Sequence, residues 1–324
     1  MINQLLRFEP ILKEKIWGGN KLKTLLGKNT DKNNIGESWE ISDVDNNNSV
    51  VSNGKLKGKT LRSLLEVHKQ KLVGNHVYEK FENEFPLLIK FIDAKEVLSI
   101  QLHPNDGISK KQHNSLGKTE MWYVVQADKK SNIIIGFKND SNKEKYLKHL
   151  SNKTLLNILN VDEVKRGDVY FVPPGRVHAI GSGLLIAEIQ QTSDITYRIY
   201  DWDRKDIDGK YRELHTEKAL EAIDFKAKKS YKRSYIKKEN TASEVVSCPH
   251  FTTNTLSLKG ELNIDFKTKD SFVIYMCVKG IVIFNYENQI EEIKMGETIL
   301  IPACIKEIKV FSEVQSELLE VFII

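Results

Sequence analysis

A chain of 324 residues that is 40% hydrophobic and 29% charged has room for one large or two ordinary globular domains. Its 49 basic residues are interleaved with 44 acidic ones, for a net charge of +5, so it lacks the concentrated basic stripe of a nucleic-acid binder. No apolar run approaches the roughly 18 residues that would span a bilayer, the opening Met1 to Pro10 lacks a signal-peptide pattern, and three cysteines without CxxC spacing read as free thiols of a cytoplasmic protein.

Taken in chain order, Leu61 to Gln70 is the first helical stretch, with Leu61, Leu64, Leu65 and His68 on one face. In Leu98-Ser-Ile-Gln-Leu-His-Pro-Asn-Asp106, Gln101 and His103 are two apart, so in a strand they share a face. Pro104 then ends the strand and leaves both groups near a mouth. Thr119 to Val125 alternates, placing Glu120, Trp122 and Val124 on one face. Ile133 to Phe137 is another strand, and Lys143 to Asn160 reads as a helix or helix pair. Asp168 to Val172 is a strand followed by Pro173-Pro-Gly-Arg-Val-His178, a tight turn that delivers His178 at the start of the next one. Leu184 to Ile189 continues the strand pattern, and Thr216 to Ile223 is a short helix with Thr216 as its expected N-cap. Asp224 to Glu239 is lysine-rich and reads as a solvated connection. Phe272 to Val278 is a strand beyond it.

Residues 162–178 and 291–305 echo one another: an apolar residue, Lys, any residue, Gly, an acid, a few strand residues, then Pro. The pattern resembles the second motif of the cupin barrel, and its two copies suggest two related barrels. The expected fold is therefore mainly β, two cupin-like (jelly-roll) β-barrels with small helical insertions. The division runs 1–230 for a catalytic unit carrying a helical insert and 231–324 for a second unit. Only the first copy ends in a histidine, so only the first barrel is expected to hold a metal.

Gln101, His103, Glu120 and His178 are the expected ligands. Two neutral imidazoles, one carboxylate and one amide oxygen suit a borderline divalent cation such as zinc. A single anionic ligand leaves the site a net positive charge and Lewis acidity towards a sugar oxygen. On spacing alone, a 2-His-1-carboxylate set also fits an iron-dependent cupin oxygenase.

The residues then resemble a known family, the type I mannose-6-phosphate isomerases in their shorter form. The resemblance runs through Lys15-Ile-Trp-Gly-Gly19, Gly36-Glu-Ser-Trp-Glu40, Phe85-Pro-Leu-Leu-Ile-Lys90, Ser99 to Asn105, Lys118-Thr-Glu-Met121, Val172 to Ala179, Glu188 through Arg198, and Glu213-Leu-His215. It implies one Zn2+ per chain on the four ligands above. It also implies aldose–ketose isomerisation of mannose 6-phosphate and fructose 6-phosphate. Arg198 matches the family's active-site arginine. Lys118, Glu188 and Asp194 are candidates for proton transfer, and Ser99, Lys90 and Arg204 for the substrate phosphate. Gly117 and Ile180 stand where longer members carry histidine and tyrosine. A sugar-phosphate sensor without turnover is the non-enzymatic alternative. The expected partner is a small sugar phosphate, with no nucleic acid or membrane; the sequence carries no signal for an oligomeric state.

Overall fold

The structure, a computed structural model, describes residues 2–324. Strands dominate, as the short apolar runs predict. Apart from a short hairpin of Asp43–Val44 with Asn47–Asn48, the strands up to residue 233 are β1 (Ile11–Gly19), β2 (Ile35–Ile41), β3 (Leu87–Ala94), β4 (Ile100–Leu102), β5 (Glu120–Ala127), β6 (Asn132–Phe137), β7 (Leu159–Glu163), β8 (Val169–Val172), β9 (His178–Ile180), β10 (Leu184–Gln191), β11 (Tyr197–Tyr200) and β12 (Lys232–Arg233). They form two sheets, in the orders β1-β2-β3-β10-β5-β8-β12 and β11-β4-β9-β6-β7. The pairings between neighbours are antiparallel, so alternate residues point to opposite faces.

The central strand β10 is buried at all 8 of its positions, which is why Leu184-Leu-Ile-Ala-Glu-Ile reads as a nearly continuous apolar run. On one face of the larger sheet, Ile92, Trp122, Leu184 and Ile186 meet Ile133, Ile135 and Ile180 of the smaller one. On its other face, Phe91, Met121, Tyr123, Val125, Leu185 and Ile189 join a core cluster that also contains Phe272, Ile274, Met276, Leu319 and Val321. The candidate site lies between the two sheets, on the first of these faces.

The later residues build a further sheet from β13 (Ala242–Ser247), β14 (Thr252–Asp265), β15 (Val273–Lys279), the hairpin β16 (Ile281–Tyr286) and β17 (Gln289–Lys294), β18 (Thr298–Ile301) and β19 (Glu307–Phe322). The sequence echo has a structural counterpart. Gly167 (φ +86°) and Gly296 (φ +92°) occupy the same place in the repeat, and each turns the chain into a strand through a conformation that favours glycine. Leu6 bridges to Leu300 through paired backbone hydrogen bonds of 2.9 and 2.8 Å, tying the start of the chain into this sheet. Phe85 and Phe272 meet with ring centroids 4.7 Å apart across the shared core.

Helix α1 (Leu61–His68) buries Leu61, Leu64 and Leu65 of its predicted face, with the Thr60 side chain accepting the Ser63 N–H. His68 is only partly buried, however, and the helix stops short of Gln70 where Lys69 turns left-handed (φ +50°). Three further expectations change. The helix expected over 143–160 ends earlier, as α2 (Lys143–Ser151), because Lys153 turns left-handed (φ +56°); strand β7 begins at Leu159. Thr216 lies inside α3 (Thr216–Ala222) rather than capping it: His215 is the N-cap, and no side chain caps the end. The lysine-rich stretch from 224 is also no free linker. Tyr231 is buried, its hydroxyl accepts from Phe137 N at 3.1 Å and donates to Phe137 O at 3.0 Å, and Lys232–Arg233 adds an edge strand to β8.

Candidate metal centre

Strand register brings the expected ligands together. His178 on β9 stands opposite Gln101 on β4, and Gln101 is also opposite Arg198 on β11. From the facing sheet, Glu188 on β10 is paired with both Lys90 on β3 and Trp122 on β5, and Gln190 with Glu120. The tight turn before His178 is held by Gly175 (φ +79°), whose N–H donates to His103 O at 2.8 Å, so the turn that presents one imidazole is anchored on the residue that carries the other.

One donor atom each from His103, Glu120 and His178 lies within 4.8 Å of the others. Each histidine Nε2 is 3.5 Å from a Glu120 carboxylate oxygen. The outer ring nitrogens are occupied: His103 Nδ1 donates to Ile195 O and His178 Nδ1 to Arg176 O, both at 2.8 Å. This assigns the proton to Nδ1 and turns both Nε2 lone pairs inward, the arrangement a metal ion requires. Gln101 completes the ring, its amide 3.4 Å from His178 Nε2. The amide oxygen accepts from Ser99 Oγ at 3.1 Å, and a simple amide flip points that oxygen at the centre.

Electrostatics fit a cation at this point. Burial drives both imidazoles towards the neutral form, His178 down to about 3 and His103 well below its ordinary value, where the nearby Lys118 charge adds to the effect. Burial also lifts the Glu120 carboxyl, against the pull of Lys118. The Lys118 ammonium lies 3.1 Å from His103 Nε2 and hydrogen-bonds Glu120, so the donor set already gathers one positive charge. The residues present therefore fit a divalent metal, with two nitrogen donors and one carboxylate in place and an amide beside them.

A cavity of about 270 Å³ opens from this cluster. Lys118, Glu188, Asp194, Ser99, Lys90 and Arg198 all line it; Arg204 does not. Glu188 accepts from Trp122 Nε1 at 2.7 Å and pairs with Lys90 at 3.0 Å. Burial would raise its carboxyl, but Lys90 and Lys118 outweigh that and hold it below the usual range. Lys90 is 3% exposed, and although burial alone would lower it, Glu188 and Glu37 keep it charged with its pKa raised. Glu37 falls to about 2, burial being overcome by Lys90 and Lys15. Arg198 is half-buried and donates from Nη1 to Glu213 O at 3.0 Å. Asp194 is exposed at the mouth.

Sequence reasoning missed Arg212. It lines the cavity while its Nε donates to Asp201 at 2.7 Å, and Arg204 contacts the same carboxylate from outside, at 3.2 Å. The chain reverses at Trp202 and Asp203 (φ +59° and +51°), and spacing from Arg198 could not foresee which arginine would return. His215, Lys15 and Glu37 also reach the wall. Each falls in a segment that the family resemblance marked, which was the available signal. Among the described residues no helix is long and apolar enough to cross a membrane.

A mainly β protein whose facing sheets converge two imidazoles and a carboxylate on one interior point belongs to the cupin class, with a candidate metal centre. Residues 5–145 match the family description "Phosphomannose isomerase type I, catalytic domain", and residues 241–319 match "Mannose-6-phosphate isomerase, cupin domain". The chain is 36% identical to the mannose-6-phosphate isomerase ManA of Bacillus subtilis, over 95% of this chain and 96% of that one. It is 35% identical to the mannose-6-phosphate isomerase of Streptococcus mutans, over 90% of each. A crystal structure of the mannose 6-phosphate isomerase from Bacillus subtilis superimposes with a TM-score of 0.88 at 33% identity, covering 99% of both chains. This chain belongs to the type I phosphomannose isomerase family.

Proposed function

We propose that the chain interconverts mannose 6-phosphate and fructose 6-phosphate through an enediol, with one zinc ion held by Gln101, His103, Glu120 and His178. The observation that carries this reading is the clustering of His103, Glu120 and His178 beside a 270 Å³ cavity that Gln101, His178, Lys118, Glu188 and Arg198 line, in a chain of this family. Zinc, when bound, would supply Lewis acidity towards a sugar oxygen.

Moving the carbonyl from C1 to C2 takes the proton off C2 and returns one to C1. The developing enediolate charge needs a fixed cation beside it. Arg198 is such a cation: its guanidinium stays charged at working pH, and the Glu213 carbonyl fixes its direction. Lys118, Glu188 and Asp194 are the groups lining the cavity that can move the proton. Of these, Glu188 is held anionic by Lys90, Lys118 is buried against the metal donors, and Asp194 stands free at the mouth.

Ser99 and Lys90 are the phosphate contacts in this reading, with Arg204 acting from behind the Asp201 cluster and Arg212 at the wall. In this reading residues 1–230 and 231–324 form two cupin-like units, with Tyr231 to Arg233 at the start of the second packing back onto the first. Only the first bears metal, and the enzyme works in the cytoplasm, where Cys248, Cys277 and Cys304 stay free. A coupled isomerase assay on metal-stripped and zinc-restored protein, repeated with Arg198→Ala, tests the proposal. Activity should vanish with the metal, return with zinc, and stay low in the variant. Full activity without metal would overturn the zinc role. Oxygen uptake with iron and no isomerisation would replace the reading with an oxygenase, and sugar-phosphate binding without turnover with a sensor.

A further inference from the structure

Away from the metal centre, a cleft of about 440 Å³ opens between strand β8 and the strap that follows α3. Arg176, Lys228, Lys232 and Arg233 line it, together with Ser230 and Tyr231, and no carboxylate does. Two carboxylates stand nearby: Asp224 takes Arg176 at 3.2 Å and Asp168 takes Lys232 at 2.7 Å. Among the described residues, Lys228 and Arg233 have no carboxylate within ion-pair distance. The Arg233 guanidinium rests on the Phe171 ring, 5.5 Å from its centroid.

Arg176 is the unusual member. It is 5% exposed, yet only Nη2 of its guanidinium finds a protein acceptor, and its buried Nε has none. An arginine this deep has donors to spare, its guanidinium carbon 5.0 Å from the centroid of the Tyr231 ring. Such a planar fork, ringed by two unpaired cations and a serine hydroxyl, matches the oxygens of a phosphate group. The strap is also held in shape without a ligand. Tyr231 hydroxyl is locked to both backbone groups of Phe137, and Asp140 holds Lys226 Nζ and Ala227 N, each at 2.9 Å. Little ordering cost is left for binding.

We infer that this cleft is a second anion site, distinct from the metal centre, that takes a small phosphate-bearing ligand. Its concave form and its supply of donors suit a single phosphate group, free or on a small ester. The inference does not rest on the isomerase reading. The site is nevertheless joined to the metal centre by one hydrogen bond, since the Arg176 carbonyl that accepts from His178 Nδ1 belongs to the residue at the cleft floor.

Hydrogen–deuterium exchange on the intact, metal-loaded protein tests it, with inorganic phosphate and glycerol 2-phosphate as separate probes. Amides of residues 223–233 should gain saturable protection from at least one of them. The midpoint should rise at least about tenfold in Lys228→Gln/Arg233→Gln, since two charge-assisted contacts are lost. Protection around Thr196–Arg198, where a phosphate could also enter the catalytic cavity, should not change in that variant. Response to phosphate alone identifies a free-anion site, and response to the ester identifies a phosphorylated small molecule. No protection of the strap by either probe up to about 50 mM, or an unshifted midpoint in the double variant, overturns the inference.

Discussion

Lys90 offers a test that separates two roles for one side chain. It is buried, 3.0 Å from Glu188, and it is also the main cation holding Glu37 down. Lys90→Met keeps most of the volume and removes the charge, leaving two buried carboxylates short of a counter-ion. At about 1.36 kcal/mol per pH unit, holding Glu37 at about 2 rather than 4.5 corresponds to roughly 3 kcal/mol, shared with Lys15 and Trp39. Adding the loss at Glu188, the variant should be destabilised by about 3–5 kcal/mol at pH 7.5, the usual cost of orphaning a buried charge. The sign with pH follows from linkage. Carboxyls depressed in the native state contribute stability that is present above their unfolded value and lost as pH falls towards the folded one. The difference between wild type and variant should therefore be full at pH 7.5 and shrink as pH falls below about 4.5 towards 2. Urea unfolding followed by circular dichroism across that range measures it. A variant of near wild-type stability whose KM for mannose 6-phosphate rises would refute the counter-ion argument and leave Lys90 as a phosphate contact.

Other outcomes follow from the same geometry. Gln101→Ala and His178→Ala should each weaken metal retention by about 10-fold or more, read by metal content after dialysis against a mild chelator. Arg198→Gln should lower kcat by about 10²–10³ with little change in KM, since its charge is asked to act on the enediolate; an unchanged kcat would remove that role. Gly175→Ala puts a Cβ 2.3 Å from Ala222 O at φ +79°, so it should cost about 2 kcal/mol or more in unfolding experiments and loosen the metal. Run in deuterated solvent, the reaction should label the product carbon, and among Lys118→Met, Glu188→Gln and Asp194→Asn the variant that loses exchange marks the proton carrier.

What the sequence made legible were features with a local period. Gln101 and His103 are two apart in a strand, Glu120 opens an alternating strand, and Pro173 to His178 is a turn whose shape Gly175 requires. Each can be read from a few neighbouring residues. Long-range balances were hidden. Nothing near Lys90 announces that Glu37 and Glu188, on two other strands, stand beside it, so a lysine read as a phosphate contact also serves two internal carboxylates. The same limit applies to Arg212, brought to the wall by a chain reversal at Trp202–Asp203, and to the strap at 224–239, where composition suggested a linker and one tyrosine hydroxyl pins the segment to Phe137.

The larger sheet of the catalytic half has the candidate site on one face and a packed core on the other, and its strands alternate between two unrelated jobs. Along β5, Glu120, Trp122 and Val124 face the candidate site, whereas Met121, Tyr123 and Val125 face the core shared with the later strands. Point substitutions can thus be inherited separately: even positions tune chemistry and odd positions tune the junction of the two halves. Losing or gaining a single residue in this strand has no such freedom, because a one-step slip exchanges the two sets wholesale. Sequence drift in this lineage should accordingly leave the lengths of β3, β5 and β10 untouched, and place its insertions in the turns between them.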